Sequence, residues 1–210
     1  MFTLHASGLP DSIIPGYRAG LGCWEMLVRQ SDPRGFFGDT PTNLCQRAQI
    51  MPKYRPPLNS TDTNEFRILI PDDWKYDDYP VLLAGSHSTS KKIAPWGLHV
   101  YGDKIRFTAA APDPENKSGN GFKVVIRREI PIIKERWHKF RLTEHVSQTT
   151  KNGYYDLTVD GMNLCGPKDY YGDTLAPDDV GPPYYQFGPY VFGHWPEGVT
   201  FRRVFMVLGL

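Results

Sequence analysis

The sequence predicts an all-β fold, and three observations predict it. Gly (20) and Pro (19) together make 39 of 210 residues, about 19%, against an ordinary share of about 12%. This surplus follows no collagen-like period, so it marks turns. Short stretches between those turns alternate polar and apolar residues at period two, the signature of half-buried strands. No stretch carries a convincing helical period. Many short strands at regular spacing imply a β-jelly roll sandwich (concanavalin-like), two antiparallel sheets with one concave face, in a single domain over residues 1–210.

The elements follow in order. Residues 1–22 are broken by Gly and Pro and read as an opening arm with one short strand at most. Cys45–Met51 alternates and reads as a strand, and a Pro-rich turn follows at Lys53–Leu58. Glu65–Ile70 places Phe66, Ile68 and Ile70 on one face, and Pro71 ends it. Val81–His87 is an apolar run with a polar end, with Leu83, Gly85 and His87 on one face. Trp96–Tyr101 and Lys104–Ala109 form a hairpin across Gly102-Asp103. Phe122–Glu129 is the next strand. Lys134–Val146 has helix-friendly composition, but its core from Trp137 to Leu142 alternates and reads as a strand. Tyr154–Val159 ends in a tight Asp160-Gly161 turn, and Tyr184–Phe192 and Val199–Leu208 close the chain. The total is roughly nine to twelve strands.

Composition excludes several functions. Lys+Arg is 24 and Asp+Glu is 23, so no bulk positive field draws nucleic acid to the domain. No apolar run approaches the ~18 residues of a membrane span. Met1–Gly8 lacks the basic flank and apolar stretch of a signal peptide. Cys23, Cys45 and Cys165 are too few and too scattered for a disulfide scaffold or a cysteine zinc site; one bridge or three free thiols both fit. Six His show no zinc-site spacing.

Two kinds of segment hold chemistry that a plain strand does not need. In Tyr184–Tyr190, Tyr185 and Phe187 face one way, and Tyr184, Gln186, Gly188 and Tyr190 face the other. Two rings, an amide and a Gly make poor core and a good groove. Arg47 and Gln49 share a face, as do His99 and Tyr101 opposite the core residues Leu98 and Val100. The bland alternative is a set of solvent-facing strands.

The segment order resembles a known family. RAQI at Arg47–Ile50 is followed by EFRILIPDDW, PVLLAGSH, PWGLHVYGDKIRF, RWHKFRL, GYYDLTVDG and YYQFGPY, over about residues 45–192. This order is similar to that of the heparin lyase I and glucuronan lyase group, the latter being polysaccharide lyase family 20; alginate lyases of jelly-roll type share part of the outline. The resemblance implies a groove that binds an anionic uronic-acid polysaccharide and cuts it by β-elimination. It places the family's arginine on Arg47, its histidine on His87 and its catalytic tyrosine on Tyr190. Three family positions differ: Gly85 stands for Gln, Gln49 for Glu and Gln186 for Lys. Tyr184, Gln186 and Gln49 then line the substrate site. His99, Lys123 or Arg127 supply the carboxylate contact that the missing Gln would make.

These residue types suit the reaction. The carbon-5 proton of a uronate is weakly acidic, and neutralising the adjacent carboxylate lowers the barrier to its removal. A base takes that proton and an acid protonates the departing carbon-4 oxygen. In glucuronate both lie on one face of the ring, so Tyr190 serves as base and then acid. In guluronate or iduronate they lie on opposite faces, with His87 as base and Tyr190 as acid. An ordinary Tyr pKa near about 10 favours alkaline working conditions unless Arg47 or a cationic His tunes it.

The reaction needs no cofactor, and the resemblance leaves room for a structural Ca²⁺. The doublets Asp72-Asp73, Asp77-Asp78 and Asp178-Asp179 read first as solvated turns. The basic pairs Lys91-Lys92, Arg127-Arg128 and Arg202-Arg203 read as solvated faces that add local positive field. The alternative function is a non-catalytic carbohydrate-binding module on the same fold. A glycoside hydrolase lacks its paired carboxylates on one strand face. The remaining expectations are a monomer, with no nucleic-acid or membrane partner. It acts outside the cell or in a virion, as a domain excised from a larger protein.

Overall fold

The computed structural model describes residues 1–8, 10–34, 45–89, 94–115 and 121–209. Fourteen strands are present among them: β1 (Phe2–Ala6), β2 (Ile13–Arg18), β3 (Leu21–Arg29), β4 (Gln46–Pro52), β5 (Thr61–Leu69), β6 (Val81–His87), β7 (Trp96–Tyr101), β8 (Lys104–Pro112), β9 (Phe122–Pro131), β10 (Trp137–His145), β11 (Tyr154–Val159), β12 (Met162–Cys165), β13 (Tyr184–Val191) and β14 (Phe201–Gly209). A single 3-10 turn at Pro10–Ser12 is the one helical element among the described residues. One sheet has the order β1-β4-β13-β6-β7-β8-β9 and the other β12-β11-β10-β5-β14-β3-β2, all antiparallel. The all-β jelly-roll expectation is met.

Alternation explains how the sheets close on each other. Phe66, Ile68 and Ile70 face inward, as do Phe140 and Leu142 opposite them and Tyr185 and Phe187 from the other sheet. Phe66 stacks on Phe140 at 5.3 Å between centroids and meets Phe187 edge-on at 5.2 Å, so one aromatic column crosses the sandwich. Full burial of each such side chain stabilises the fold by roughly 1.5–3 kcal/mol. The β11–β12 turn has Asp160 at φ 52° and Gly161 at φ 83°, the paired positive angles that match a hairpin's twist.

Three expectations change, and the open question of the cysteines is resolved. The strand count exceeds twelve, because β3 and β12 escaped the reading and the opening arm holds β1, β2 and the start of β3 rather than one strand. Their pairing is long-range, and local alternation is weak where Gly and Pro interrupt it. Leu83 is fully buried in the core, and Leu82 takes its expected place on the face of Gly85 and His87, because a bulge between Leu82 and Ala84 shifts the register by one. Arg202 is buried, not solvated; it ion-pairs with Asp77 and lies over the Trp74 ring at 4.9 Å. The three cysteines are free and buried. Lys91 and Lys92 lie outside the described residues.

Candidate active site

The outer face of the β1–β9 sheet carries the candidate residues in rows that run across the strands. One row is Arg47 (β4), Tyr190 (β13), Leu82 (β6), His99 (β7), Arg106 (β8) and Glu129 (β9), each paired with the next. The adjacent row is Gln186, Gly85, Gly97, Thr108 and Arg127. Tyr184 pairs with His87 in a third. Segments far apart in sequence thus present one surface, because successive strands of the sheet keep the same side-chain phase.

Tyr190 owes its place to the Gly188-Pro189 step. Between Phe187 and Tyr190 the pairing with β6 shifts register. Gly188 has φ 125°, and a Cβ there would fall 2.1 Å from the Ala48 carbonyl oxygen and 2.6 Å from Met26 Sδ. Only glycine combines that angle with that contact. Gln49, fully buried, extends its amide Nε2 to the Gly188 carbonyl at 3.4 Å. Gln46 anchors the other side: its Nε2 faces the carbonyls of Arg29, Gln30 and Asp32 at 3.1, 3.1 and 2.6 Å, and its Oε1 accepts from Trp195 Nε1 at 2.6 Å. Arg47, the next residue, is thereby held in register.

Cations and rings alternate around Tyr190. The Arg47 guanidinium lies 4.6 Å from the centre of the Tyr190 ring. His87 stacks on Tyr184 at 5.2 Å with an interplanar angle of 18°, and its Nδ1 lies 2.9 Å from the Ser88 carbonyl oxygen. A carbonyl oxygen can only accept, so Nδ1 donates in that contact, which fixes the orientation of the ring. Arg55 sits over Tyr184 at 5.4 Å. Burial raises the Tyr184 phenol above its ordinary value, against the opposing charges of Arg47 and Arg55. Phe192 packs edge-on against Tyr190 at 4.8 Å and faces His99 at 6.4 Å.

The structure brings Arg47, His87, Tyr184, Gln186 and Tyr190 together, with Gln49 beneath them. His99 and Arg127 lie further along the same face. Lys123 stands apart: it is exposed on edge strand β9, beyond the bulge between Ala109 and Ala110, with Nζ 3.6 Å from Asp113 Oδ2. Two site residues escaped the sequence reading. His5 on β1 pairs with Gln49, so the opening arm forms part of this face; burial and the Arg47 charge lower its pKa. Arg55 follows from nothing local beyond the Pro-rich turn that carries it.

No group of three or more His, Cys, Asp or Glu able to hold a metal ion exists among the described residues. Asp73 and Asp77 are engaged by Arg203 and Arg202.

Residues 20–205 match the family model described as polysaccharide lyase. No curated protein sequence matches the chain. Among solved structures, the endo-β-1,4-glucuronan lyase of the fungus Trichoderma reesei is similar over 99% of this chain and 85% of its own, with 13% identity and a TM-score of 0.70. The family 7 alginate lyase A1-II', in a doubly substituted form in complex with substrate, is similar over 98% of this chain and 89% of its own, with 10% identity and a TM-score of 0.62. A GH131 β-glucanase catalytic domain from Podospora anserina is similar over 99% and 77%, with 9% identity and a TM-score of 0.56. At these identities the likeness establishes the fold that the sequence predicted, not the substrate.

Proposed function

Starting from the fact that the chain belongs to the polysaccharide lyase family, we propose that it cleaves a glucuronic-acid-containing anionic polysaccharide by β-elimination, with Tyr190 as base and acid. The observation that carries this reading is the Arg47–Tyr190 pair, a guanidinium 4.6 Å from the phenol ring on an open sheet face. A fixed positive charge there stabilises charge on the phenolic oxygen and on the substrate carboxylate. Tyr190 takes the carbon-5 proton as the bond from carbon 4 to its oxygen breaks. A carbon–carbon double bond forms between carbons 4 and 5, and the same proton passes to the leaving oxygen. His87, stacked on Tyr184, borders the sugar and, on a substrate of opposite configuration, acts as the base. Tyr184 and Gln186 border the sugar site.

Glucuronate is favoured over other uronates because its carbon-5 proton and carbon-4 oxygen lie on one face of the ring, within reach of the single phenol of Tyr190. A hydrolase reading finds little support: in the two rows described, Glu129 is the one carboxylate, and hydrogen bonds from Arg106 and Lys104 hold its pKa low. The three departures at Gly85, Gln49 and Gln186 favour the second reading, a binding module without catalysis. A panel of glucuronan, alginate and heparin, followed by ultraviolet absorbance of the unsaturated ends, separates the two. Tyr190→Phe should lose about 10²–10⁴-fold in rate while keeping its affinity. Absence of product from every polymer between neutral and strongly alkaline pH would refute the lyase reading.

A further inference from the structure

A cavity of about 570 Å³ opens at one end of the sandwich, between the tip of the β8–β9 hairpin and residues 166–183, which cross from β12 to β13. Pro112, Phe122, Lys151, Tyr171, Asp173 and Asp178 line it. None of them stands in the rows around Tyr190. The volume falls within the ~300–1,000 Å³ of small-ligand sites.

The crossing segment forms a fixed wall. Connections longer than ~12–15 residues without regular structure are uncommon, and are usually functional or disordered. This one is ordered by side chains devoted to it. Gln148 Nε2 faces the carbonyls of Ala176, Pro177 and Asp179 at 3.1, 3.1 and 2.7 Å. Asp173 Oδ1 accepts from Ser147 Oγ at 2.6 Å and from the Lys151 N–H at 2.8 Å. Tyr170 Oη donates to the Asp173 carbonyl at 2.6 Å, and the Gly172 N–H donates to the Gly153 carbonyl at 2.9 Å. A Cβ at Gly153 would fall 2.6 Å from the Gly172 carbonyl oxygen, so glycine lets the two segments touch.

Two neighbouring tyrosines on this wall differ. Tyr170 turns inward, 6.3 Å from the Tyr155 ring; burial and then the Asp173 charge push its phenol up to about 12. Tyr171 is 66% exposed and makes no ring contact or hydrogen bond among the described residues. An ordered loop thus holds an open ring at the rim of a cavity.

The charges here differ from those of the groove. Asp173 and Asp178 accompany one cation, Lys151, whereas Arg47 and Arg55 stand over Tyr190 and Tyr184. Two carboxylates against one ammonium repel a uronate. A neutral pyranose meets no such repulsion: its hydroxyls donate to carboxylates and accept from an ammonium. Its slightly positive C–H bonds lie on the negative face of an aromatic ring. A β-1,4-linked glucan suits the site best, because its equatorial hydroxyls leave both ring faces to C–H bonds.

We propose that this cavity binds a neutral β-1,4-linked glycan, with Tyr171 as the stacking platform and Lys151, Asp173 and Asp178 as partners for its hydroxyls. The site differs from the substrate groove in place and in ligand class, and it stands independently of the lyase reading. It holds the protein on a neutral chain while the sheet face engages an acidic one.

Titration calorimetry with cellohexaose tests this on wild type, Tyr171→Ala and Tyr171→Trp. Wild type should bind, and the alanine variant should weaken binding about three- to tenfold, the range of an aromatic contact. Tryptophan should keep the affinity or improve it. Urea midpoints of both variants should match wild type, because the ring is exposed. A large excess of glucuronate hexamer, added to Tyr190→Phe so that it is not consumed, should leave cellohexaose bound. The proposal is overturned if wild type does not bind cellohexaose, or if Tyr171→Ala binds it equally well. Displacement by the glucuronate hexamer also overturns it, by assigning the neutral chain to the groove. None of these outcomes depends on turnover, so each leaves the lyase reading to its own assay.

Discussion

Glu144 offers the sharpest test of the energetics, because its fate limits the alkaline conditions that a tyrosine base prefers. It lies on β10 with its side chain fully buried between the sheets. Oε2 accepts from Trp96 Nε1 at 3.0 Å, and Oε1 has no hydrogen-bond partner among the described residues. Burial pushes its pKa up to about 8; the Trp96 bond opposes this and the Asp62 charge adds to it. The folded state therefore keeps a proton that the unfolded chain releases near 4.5. Below that value both states are protonated, and the contribution is fully present. Between about 4.5 and 8 it is lost progressively, at about 1.4 kcal/mol per pH unit, for a total near 5 kcal/mol. Above about 8 both states are ionised and the loss stops. Glu144→Gln keeps an oxygen for Trp96 and removes the ionisation. Urea unfolding followed by circular dichroism from pH 5 to 9 should show the wild type weakening across this window and the variant nearly flat. At pH 9 the variant should be the more stable by several kcal/mol, and activity should persist to higher pH. A variant that follows the wild-type pH curve, or is less stable by a constant amount at every pH, would refute the assignment of a protonated Glu144.

Two further substitutions probe what holds Tyr190 and Arg47. Gly188→Ala introduces a Cβ against the Ala48 carbonyl at φ 125°. It should cost about 3 kcal/mol or more in chemical denaturation and lower kcat further than the lost stability explains, because Tyr190 moves. Gln46→Ala removes the donor shared by three carbonyls and the acceptor of Trp195. It should cost about 2–4 kcal/mol, with each newly unsatisfied buried group contributing about 1–3, measurable as a lower urea midpoint at unchanged slope.

The β fold was legible because alternation and turn residues are local properties. Phe66, Ile68 and Ile70, the Gly102-Asp103 and Asp160-Gly161 turns and the two faces of Tyr184–Tyr190 all follow from neighbours in the chain. So did the residue types on each strand face, since a residue's side is set by period two. Which faces meet was not legible. That Tyr190 stands between Arg47 and Leu82, and that His99 continues the row, depends on the pairing of strands separated by up to about 140 residues. A single bulge turns Leu83 into the core and Leu82, itself buried, toward the opposite face of the sheet, and local pattern does not reveal a bulge whose cause lies on the partner strand. His5 joins the site only because β1 closes the sheet edge beside β4, and Arg202 and Glu144 are buried only because oppositely placed groups receive them. By itself the sequence determined most of the strands, the faces of those that alternate cleanly, and the likeness to polysaccharide lyases. The register that turns separate faces into one surface belonged to the tertiary structure, because backbone hydrogen bonds between distant strands set it.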